Sequence, residues 1–234
     1  MEKPKKRLVV LSGAGISAES GIRTFREMGG LWEEYDINEV ATPEAWARNP
    51  NLVLRFYNER RQALLNCQPN LGHLELVRLE DFFDVQIITQ NVDDLHERAG
   101  SSNILHLHGE LRKVRSSTDE TLIHELKGWE LKWGDKCELG SQLRPHIVWF
   151  GEAVPMITKA ASIVKTADIL LIVGTSMQVY PAASLIDYTH YDTPVFVVDP
   201  NETIGEGKGR TIILKGASEG IKEFSKIIRS QFAI

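Results

Sequence analysis

Arg7-Leu-Val-Val-Leu-Ser12 runs straight into Gly13-Ala-Gly-Ile-Ser-Ala18. A short apolar run without polar alternation suits a strand covered on both faces, the condition of a parallel sheet. G-x-G-x-x-A behind such a strand is a strand–turn–helix junction. Gly13 makes the tight turn, Gly15 admits a close backbone approach such as that of a pyrophosphate, and the helix start offers free N–H groups to an anion. The pattern alone also fits a plain structural turn. A nucleotide fold of the ordinary kind would continue with a second strand ending in an acidic residue about 20 residues on. Glu33, Glu34 and Asp36 lie at that distance, but Gly21-Ile-Arg-Thr-Phe-Arg-Glu-Met-Gly-Gly30 does not read as a strand. It reads as a loop able to fold over a ligand.

Further strands are expected at Phe83–Thr89, Ile104–His108, Ile147–Phe150, Asp168–Val173, Val195–Val198 and Thr211–Leu214. Thr42-Pro43 and Asn49-Pro50 each open a helix, the first residue capping and the proline taking the first turn. The second of these runs to about Leu65, with Leu52, Phe56, Leu64 and Leu65 on its apolar side. Other helices are expected at Gly72–Glu80, Asp94–Arg98 (stopped by Gly100), Pro155–Thr166, Pro181–Tyr188 and Ala217–Arg229. Strands alternating with helices imply an α/β fold, a Rossmann-like, doubly wound parallel sheet. Residues 109–146 break the pattern: they are polar, carry Gly128, Gly134 and Gly140, and show no period. The expected division is a Rossmann-like part from 1–35, 70–108 and 147–234, a helical insertion at 36–69, and a small module at 109–146.

A chain of 234 residues suits one large domain with a modest insertion. Its net charge of −5 makes the basic start, Lys3 to Arg7, a solvated tail and argues against a nucleic-acid partner. No apolar run approaches the roughly 18 residues of a membrane span, and no signal peptide is expected because only a short strand follows the basic start. Two cysteines, Cys67 and Cys137, cannot build a disulfide framework, so a cytoplasmic setting is expected.

Local chemistry leaves several groups open. His106 and His108, two apart on an expected strand, would leave one face. They suit hydrogen-bonded strand histidines, a metal pair, or a general base working near a pKa of about 6.5. Gln90, Asn91 and Asp93 follow a strand, at the edge where open sheets bind ligands, and also suit helix capping. Gly174-Thr-Ser176 follows the most apolar strand, and Asp199 and Asn201 the next. Tyr57 and Arg60, three apart on a helix, would share a face and suit a carboxylate, or serve as a solvated face together with Arg55 and Arg61.

Taken in order, Gly13-Ala-Gly-Ile-Ser-Ala-Glu-Ser-Gly-Ile-Arg-Thr-Phe-Arg26, Thr89-Gln-Asn-Val-Asp-Asp-Leu-His-Glu-Arg-Ala-Gly100, Leu107-His-Gly-Glu110, Trp149-Phe-Gly-Glu152, Gly174-Thr-Ser176 and Val179 resemble the motifs of the sirtuins, the NAD-dependent protein-lysine deacylases. The resemblance implies a reaction in which NAD is consumed. The substrate amide oxygen attacks the nicotinamide ribose, nicotinamide leaves, and an alkylimidate gives free lysine and O-acyl-ADP-ribose. It implies that Gly13, Ala14, Gly15, Ser17, Ala18, Phe25, Arg26, Gln90, Asn91, Asp93, Gly174, Thr175, Ser176, Asp199, Asn201 and Ala217 meet NAD. Phe25 would stand near the reactive ribose and Arg26 order the loop, which accounts for a Phe and an Arg where a strand was due. Asn91 would orient the ribose or a water, Asp93 hold the nicotinamide amide, and His108 act as base. Val148, Phe150, Gly151 and Glu152 would bind the peptide beside an acylated lysine. Asp199 departs from the Asn that many sirtuins carry, and Val92 from their common Ile. His73 and His146 are left structural.

Tyr57-x-x-Arg60, Thr24 and Ala41 resemble the desuccinylase-type subgroup, which implies removal of succinyl and malonyl groups, with acetyl as well. A monomer acting on acylated lysines of proteins is expected. The resemblance leaves a sirtuin-like NAD hydrolase or ADP-ribosyltransferase, and a non-catalytic NAD sensor, as alternatives. The C-x-x-C pairs of most sirtuins are missing: Val114-Arg-Ser-Ser117 stands at the first and Cys137 alone at the second. One thiolate cannot complete a four-ligand zinc site, and His124, Asp135 and Glu138 do not have a known spacing. No zinc is expected, and Leu126, Trp129, Leu131 and Trp133, the two tryptophans on one side of a helix, are expected to form a small core instead.

Overall fold

The computed structural model describes residues 4–23, 35–201 and 210–232. Strand β1 (Arg7–Ser12) is followed by a one-turn helix α1 (Gly15–Ala18). Helices α2 (Ile37–Val40), α3 (Pro43–Arg48) and α4 (Pro50–Leu65) precede α5 (Leu71–Leu79). Asp36, one of the acidic residues beyond the glycine turn, caps α2 through its side chain, and Thr42 and Asn49 cap α3 and α4 as expected. Next come β2 (Asp84–Thr89), α6 (Leu95–Ala99) and β3 (Ile104–His106). Gly100 ends α6 with a φ of 104°, a conformation that glycine adopts without strain.

After β4 (Gly109–Ser116), β5 (Ile123–Glu125) and β6 (Leu143–Ile147), the chain forms α7 (Ile157–Val164) and β7 (Ile169–Val173). A 3₁₀ helix (Ala182–Tyr188), β8 (Val195–Val198), β9 (Arg210–Ile213) and α8 (Ala217–Gln231) complete it. The large sheet runs β3-β2-β1-β7-β8-β9, every pair parallel. Strand order reverses between β1 and β7, the switch point of a doubly wound sheet. Alternate residues serve opposite cores. Leu8, Val10, Leu171 and Val173 pack with α5 and α8, and Val9, Leu11, Leu170 and Ile172 pack with α7. That division explains why these strands read as unbroken apolar runs.

Two expectations are corrected, and the small module takes a definite form. After residue 108, β4, β5 and β6 form an antiparallel sheet in the order β5-β4-β6. Its strands interleave charged residues such as Arg112, Lys113, Arg115 and Arg144 with few apolar ones, so they lack the apolar signature of the buried sheet. Ile147–Phe150 does not start a strand of the large sheet; Ile147 ends β6, opposite Gly109. Trp129 and Trp133 lie on no helix and are exposed, with Trp133 against Trp46. Leu131 does form a core, with Leu54 of α4, Val114 of β4 and half-buried Leu126.

On α4 the buried side is Val53, Leu54, Phe56, Tyr57, Arg61 and Leu64, while Leu65 is exposed. Arg61 is not a surface residue: it is fully buried and donates to the Leu111 carbonyl at 2.6 Å, tying α4 to β4. No helix among the described residues is long and apolar enough to cross a membrane.

His73 closes a capping box at the start of α5, its Nδ1 accepting from the Asn70 N–H. It packs edge-on against the buried ring of His96. Burial pushes its pKa down to about 4, against about 6.5 in an unfolded chain. Between those values the unfolded chain binds a proton that the folded chain refuses, so stability falls as pH drops from about 6.5 to about 4. The melting temperature is expected to fall over that window. His73→Gln, which keeps the box without the titration, should flatten the fall; an unchanged slope contradicts this.

Candidate active site

A cavity of about 370 Å³ lies along the carboxyl edge of the large sheet. One end is lined by Gly13, Ala14 and Gly15 after β1, Gly174, Thr175 and Ser176 after β7, and Asp199 and Asn201 after β8. Gln90, Asn91 and His108 line the middle. Ala41, Tyr57, Arg60, Val148, Phe150, Gly151 and Glu152 line the other end. Ser17, Ala18, Asp93 and Ala217 do not line it. Phe25 and Arg26, with Thr24, lie outside the described residues.

The glycines of the first turn are required by the protein's own backbone. A Cβ on Gly15 would fall 2.7 Å from the Gly174 Cα, and one on Gly13 would fall 2.7 Å from the Gly174 carbonyl oxygen. Gly174 has a φ of +60°, and a Cβ there would meet the Ile16 nitrogen at 2.2 Å. The turn also uses amides expected to be open to an anion. Gly15 donates to the Gly174 carbonyl at 2.9 Å, and Ile16 and Ser17 donate to Gly13 and Ala14, each at 3.1 Å.

Behind the middle of the cavity sits a polar relay. Asn91 Nδ2 donates to the Ser17 hydroxyl at 3.2 Å, which donates to Asp93 at 3.1 Å. Asp93 also accepts the Leu95 N–H at the start of α6, and burial pushes its carboxyl above the usual range. Gln90 Nε2 donates to Thr175 Oγ1 at 3.0 Å, joining the β2 and β7 edges.

His108 lies on a bend beyond β3, so it does not share a strand face with His106. Its Nδ1 is 3.1 Å from the Gln90 carbonyl. A carbonyl only accepts, so Nδ1 carries the hydrogen and Nε2 keeps the lone pair. Burial lowers the His108 pKa below its ordinary value. At neutral pH the ring is therefore an uncharged base.

At the far end, Tyr57 and Arg60 do face one cavity. Trp149 Nε1 donates to the Tyr57 oxygen at 3.0 Å, and burial pushes the phenol up to about 12, so its O–H proton stays in place. Burial lowers the Arg60 pKa, yet a guanidinium stays charged at neutral pH. Phe150 N–H donates to the Ala41 carbonyl and Val148 N–H to the His108 carbonyl, both at 3.0 Å. Glu152 is committed elsewhere. Its oxygens accept from Arg144 at 2.7 and 3.1 Å, from Arg115 at 3.3 Å and from the Trp149 N–H at 2.8 Å. Arg144 in turn lies 3.4 Å over the Trp149 ring.

The sequence reading missed Phe56 and Trp149 as wall residues. Trp149 sits in the same motif as Phe150, and Phe56 stands four residues before Arg60 on one helix face; those two neighbourhoods were the available signals.

Among the described residues, Glu97, His106 and Glu110 bring ligand-type atoms within 4.8 Å of one another. They do not suit a cation: both His106 nitrogens are engaged, and Lys113 Nζ lies 2.9 Å from Glu110. In the small sheet the positions of the missing cysteine pairs converge. Ser116 Oγ is 2.7 Å from Ser141 Oγ, which is 3.0 Å from Cys137 Sγ. His124 pairs with Glu138 at 3.1 Å, while Asp135 accepts the Lys132 N–H instead.

Residues 13–181 match the Sir2 family. An NAD-dependent protein deacylase of Bacteroides thetaiotaomicron is 54% identical over 230 residues, 95% of this chain and 98% of that protein. Another, of Helicobacter pylori, is 59% identical over 197 residues, 83% of this chain and 85% of that protein. A solved Sir2 homologue–NAD complex aligns with a TM-score of 0.84 at 39% identity, over 97% of this chain and 91% of that one. A Sir2–p53 peptide–NAD+ complex aligns at 0.76 and 28%, over 98% and 94%.

Arg144→Met should cost about 2–3 kcal/mol, because it strips a half-buried carboxylate of its main partner. Urea unfolding measures this. A loss below about 0.5 kcal/mol, the scale of an exposed pair, contradicts it.

Proposed function

The chain belongs to the Sir2 family, and from that membership we propose that it is an NAD-dependent protein-lysine deacylase removing succinyl and malonyl groups, and acetyl as well. The observation that supports it most is a single cavity with an uncharged histidine base in the middle and an arginine–tyrosine pair at one end. NAD, consumed as second substrate, supplies the electrophilic ribose carbon at which the amide oxygen replaces nicotinamide.

Gly13 to Gly15 and Gly174 to Ser176 accept the diphosphate and adenosine half, with Asp199 and Asn201 on the adenosine ribose. The relay from Asp93 through Ser17 to Asn91 sets the Asn91 amide, which leaves its Oδ1 for a ribose hydroxyl or a water. Asp93, Ser17, Ala18 and Ala217 act from behind the wall, Asp93 on the nicotinamide side through the relay to Asn91. His108 takes the ribose hydroxyl proton at Nε2, because Nδ1–H is held by Gln90. The peptide adds beside Val148, Phe150 and Gly151 as an extra strand.

Arg60 and Tyr57 take the acyl carboxylate. Trp149 occupies one lone pair of the Tyr57 oxygen and so directs the phenolic O–H toward the acid. Ala41 leaves room for the longer chain. We read the small sheet as standing without zinc, held by the Ser116–Ser141–Cys137 hydrogen bonds, by Leu131, and by Arg61.

The test is deacylation of matched succinyl-, malonyl- and acetyl-lysine peptides with NAD, read by mass spectrometry. His108→Ala should lower all three rates by about 10²–10⁴-fold. Arg60→Met should lower only the acidic substrates, by roughly 10–100-fold. NAD cleavage without deacylation would replace this reading by an NAD hydrolase or ADP-ribosyltransferase. Because the His108 pKa is lowered and the protonated ring cannot act as base, activity should rise with pH through a midpoint below about 6.5. Metal analysis should find no stoichiometric zinc; one zinc per chain contradicts the zinc-free small sheet.

A further inference from the structure

His106 stands beside the cavity and has no part in the chemistry above. Its Nδ1 lies 2.9 Å from the Asn91 carbonyl, and its Nε2 lies 2.7 Å from Glu97 Oε1. A carbonyl and a carboxylate are both acceptors. A neutral imidazole has one N–H and would turn a lone pair on one of them; only the doubly protonated ring satisfies both. The ring is 9% exposed, and these two acceptors are its hydrogen-bond partners.

The charged groups around it agree. Glu97 faces it from α6 together with His96, which burial keeps uncharged; Glu110 and Lys113 face it from β4, and Asp93 from the loop after β2. Lys113 is engaged with Glu110 and with Glu125 of β5. Three carboxylates against one ammonium leave the surroundings negative. Burial works against the charge, but Glu97 outweighs it and the pKa is raised above the ordinary histidine value.

The main chain beyond β2 is held by the segment that carries the base. Gln90, Asn91 and Val92 present consecutive carbonyls, which accept from His108 Nδ1, His106 Nδ1 and the Leu111 N–H, the last at 2.7 Å. We propose that His106 is a positioning residue, an imidazolium at neutral pH whose two N–H groups tie the Asn91 main chain to Glu97 and so fix the Asn91 amide toward NAD. The proposal rests on the reading of Asn91 as an NAD-facing residue. Loss of the His106 proton loosens Asn91 while the Gln90 bond to His108 remains, so NAD binding and ribose orientation suffer before the base does.

The experiment has two arms on the full chain. Side-chain nitrogen NMR follows the His106 ring against pH without NAD, in the wild type and in Glu97→Gln. The pH profile of kcat/KM for NAD is then recorded for the same two proteins and for His106→Phe, with circular dichroism confirming that each is folded. The expected result is a His106 ring protonated at both nitrogens at pH 7, with a midpoint above that of an ordinary histidine. In Glu97→Gln that midpoint should fall by about one pH unit or more, the alkaline limb should move with it, and the acid limb of His108 should stay. His106→Phe should raise the KM for NAD about tenfold, with a smaller effect on kcat. A neutral His106 at pH 7, or an alkaline limb unmoved in Glu97→Gln, overturns the proposal. The NMR arm needs no turnover. A charged His106 in a protein that deacylates nothing would sink the functional reading and leave the charge on the ring established.

Discussion

Two strand ends touch backbone to backbone, and the site is built on that contact. At the switch point between β1 and β7, the turn at Gly15 lies so close to Gly174 that neither position has room for a Cβ. The contact aligns the carboxyl ends of both strands, and its glycines line the cavity. It also consumes the amides of Gly15, Ile16 and Ser17 in internal hydrogen bonds. The glycine pattern is therefore first a packing solution between two parallel strands. Its value to a ligand is the open edge that this packing creates.

The large sheet was legible in the sequence because its strands are covered on both faces. Ile169 to Val173 is buried throughout and carries no polar residue to confuse the reading. Helix starts at Thr42-Pro43 and Asn49-Pro50 were equally plain, since a side-chain acceptor and a proline at the first turn have few other uses. The Tyr57–Arg60 pair was readable as one face of a helix, but only the structure shows that the face opens on the cavity rather than on water.

The small sheet was not legible. Its strands carry Arg112, Lys113, Arg115, His124 and Arg144, and apart from Lys113, which meets Glu110 on its own strand, they find partners outside their own strands. Arg115 and Arg144 face each other across β4 and β6 and converge on Glu152, outside the sheet. No local period announces such an arrangement. The same holds for Arg61, which looks like a surface charge and instead reaches the Leu111 carbonyl from the inside of α4. His106 and His108 mislead in another way. Their spacing suggests one strand face, but the strand ends at His106, and the bend that follows turns the two rings to different jobs.

These pieces give the cavity its polarity. Small residues and backbone line one end, an uncharged base the middle, and a fixed positive charge with a neutral phenol the other. The order suits a substrate carrying an acid at the end of its acyl chain. The direct measurement is a crystal structure of the protein with NAD and a succinyl-lysine peptide. The account predicts the succinyl carboxylate on Arg60 and the Tyr57 hydroxyl, with His108 Nε2 within hydrogen-bond reach of a ribose hydroxyl. A carboxylate turned to solvent, with Arg60 and Tyr57 making no contact to it, would contradict the account.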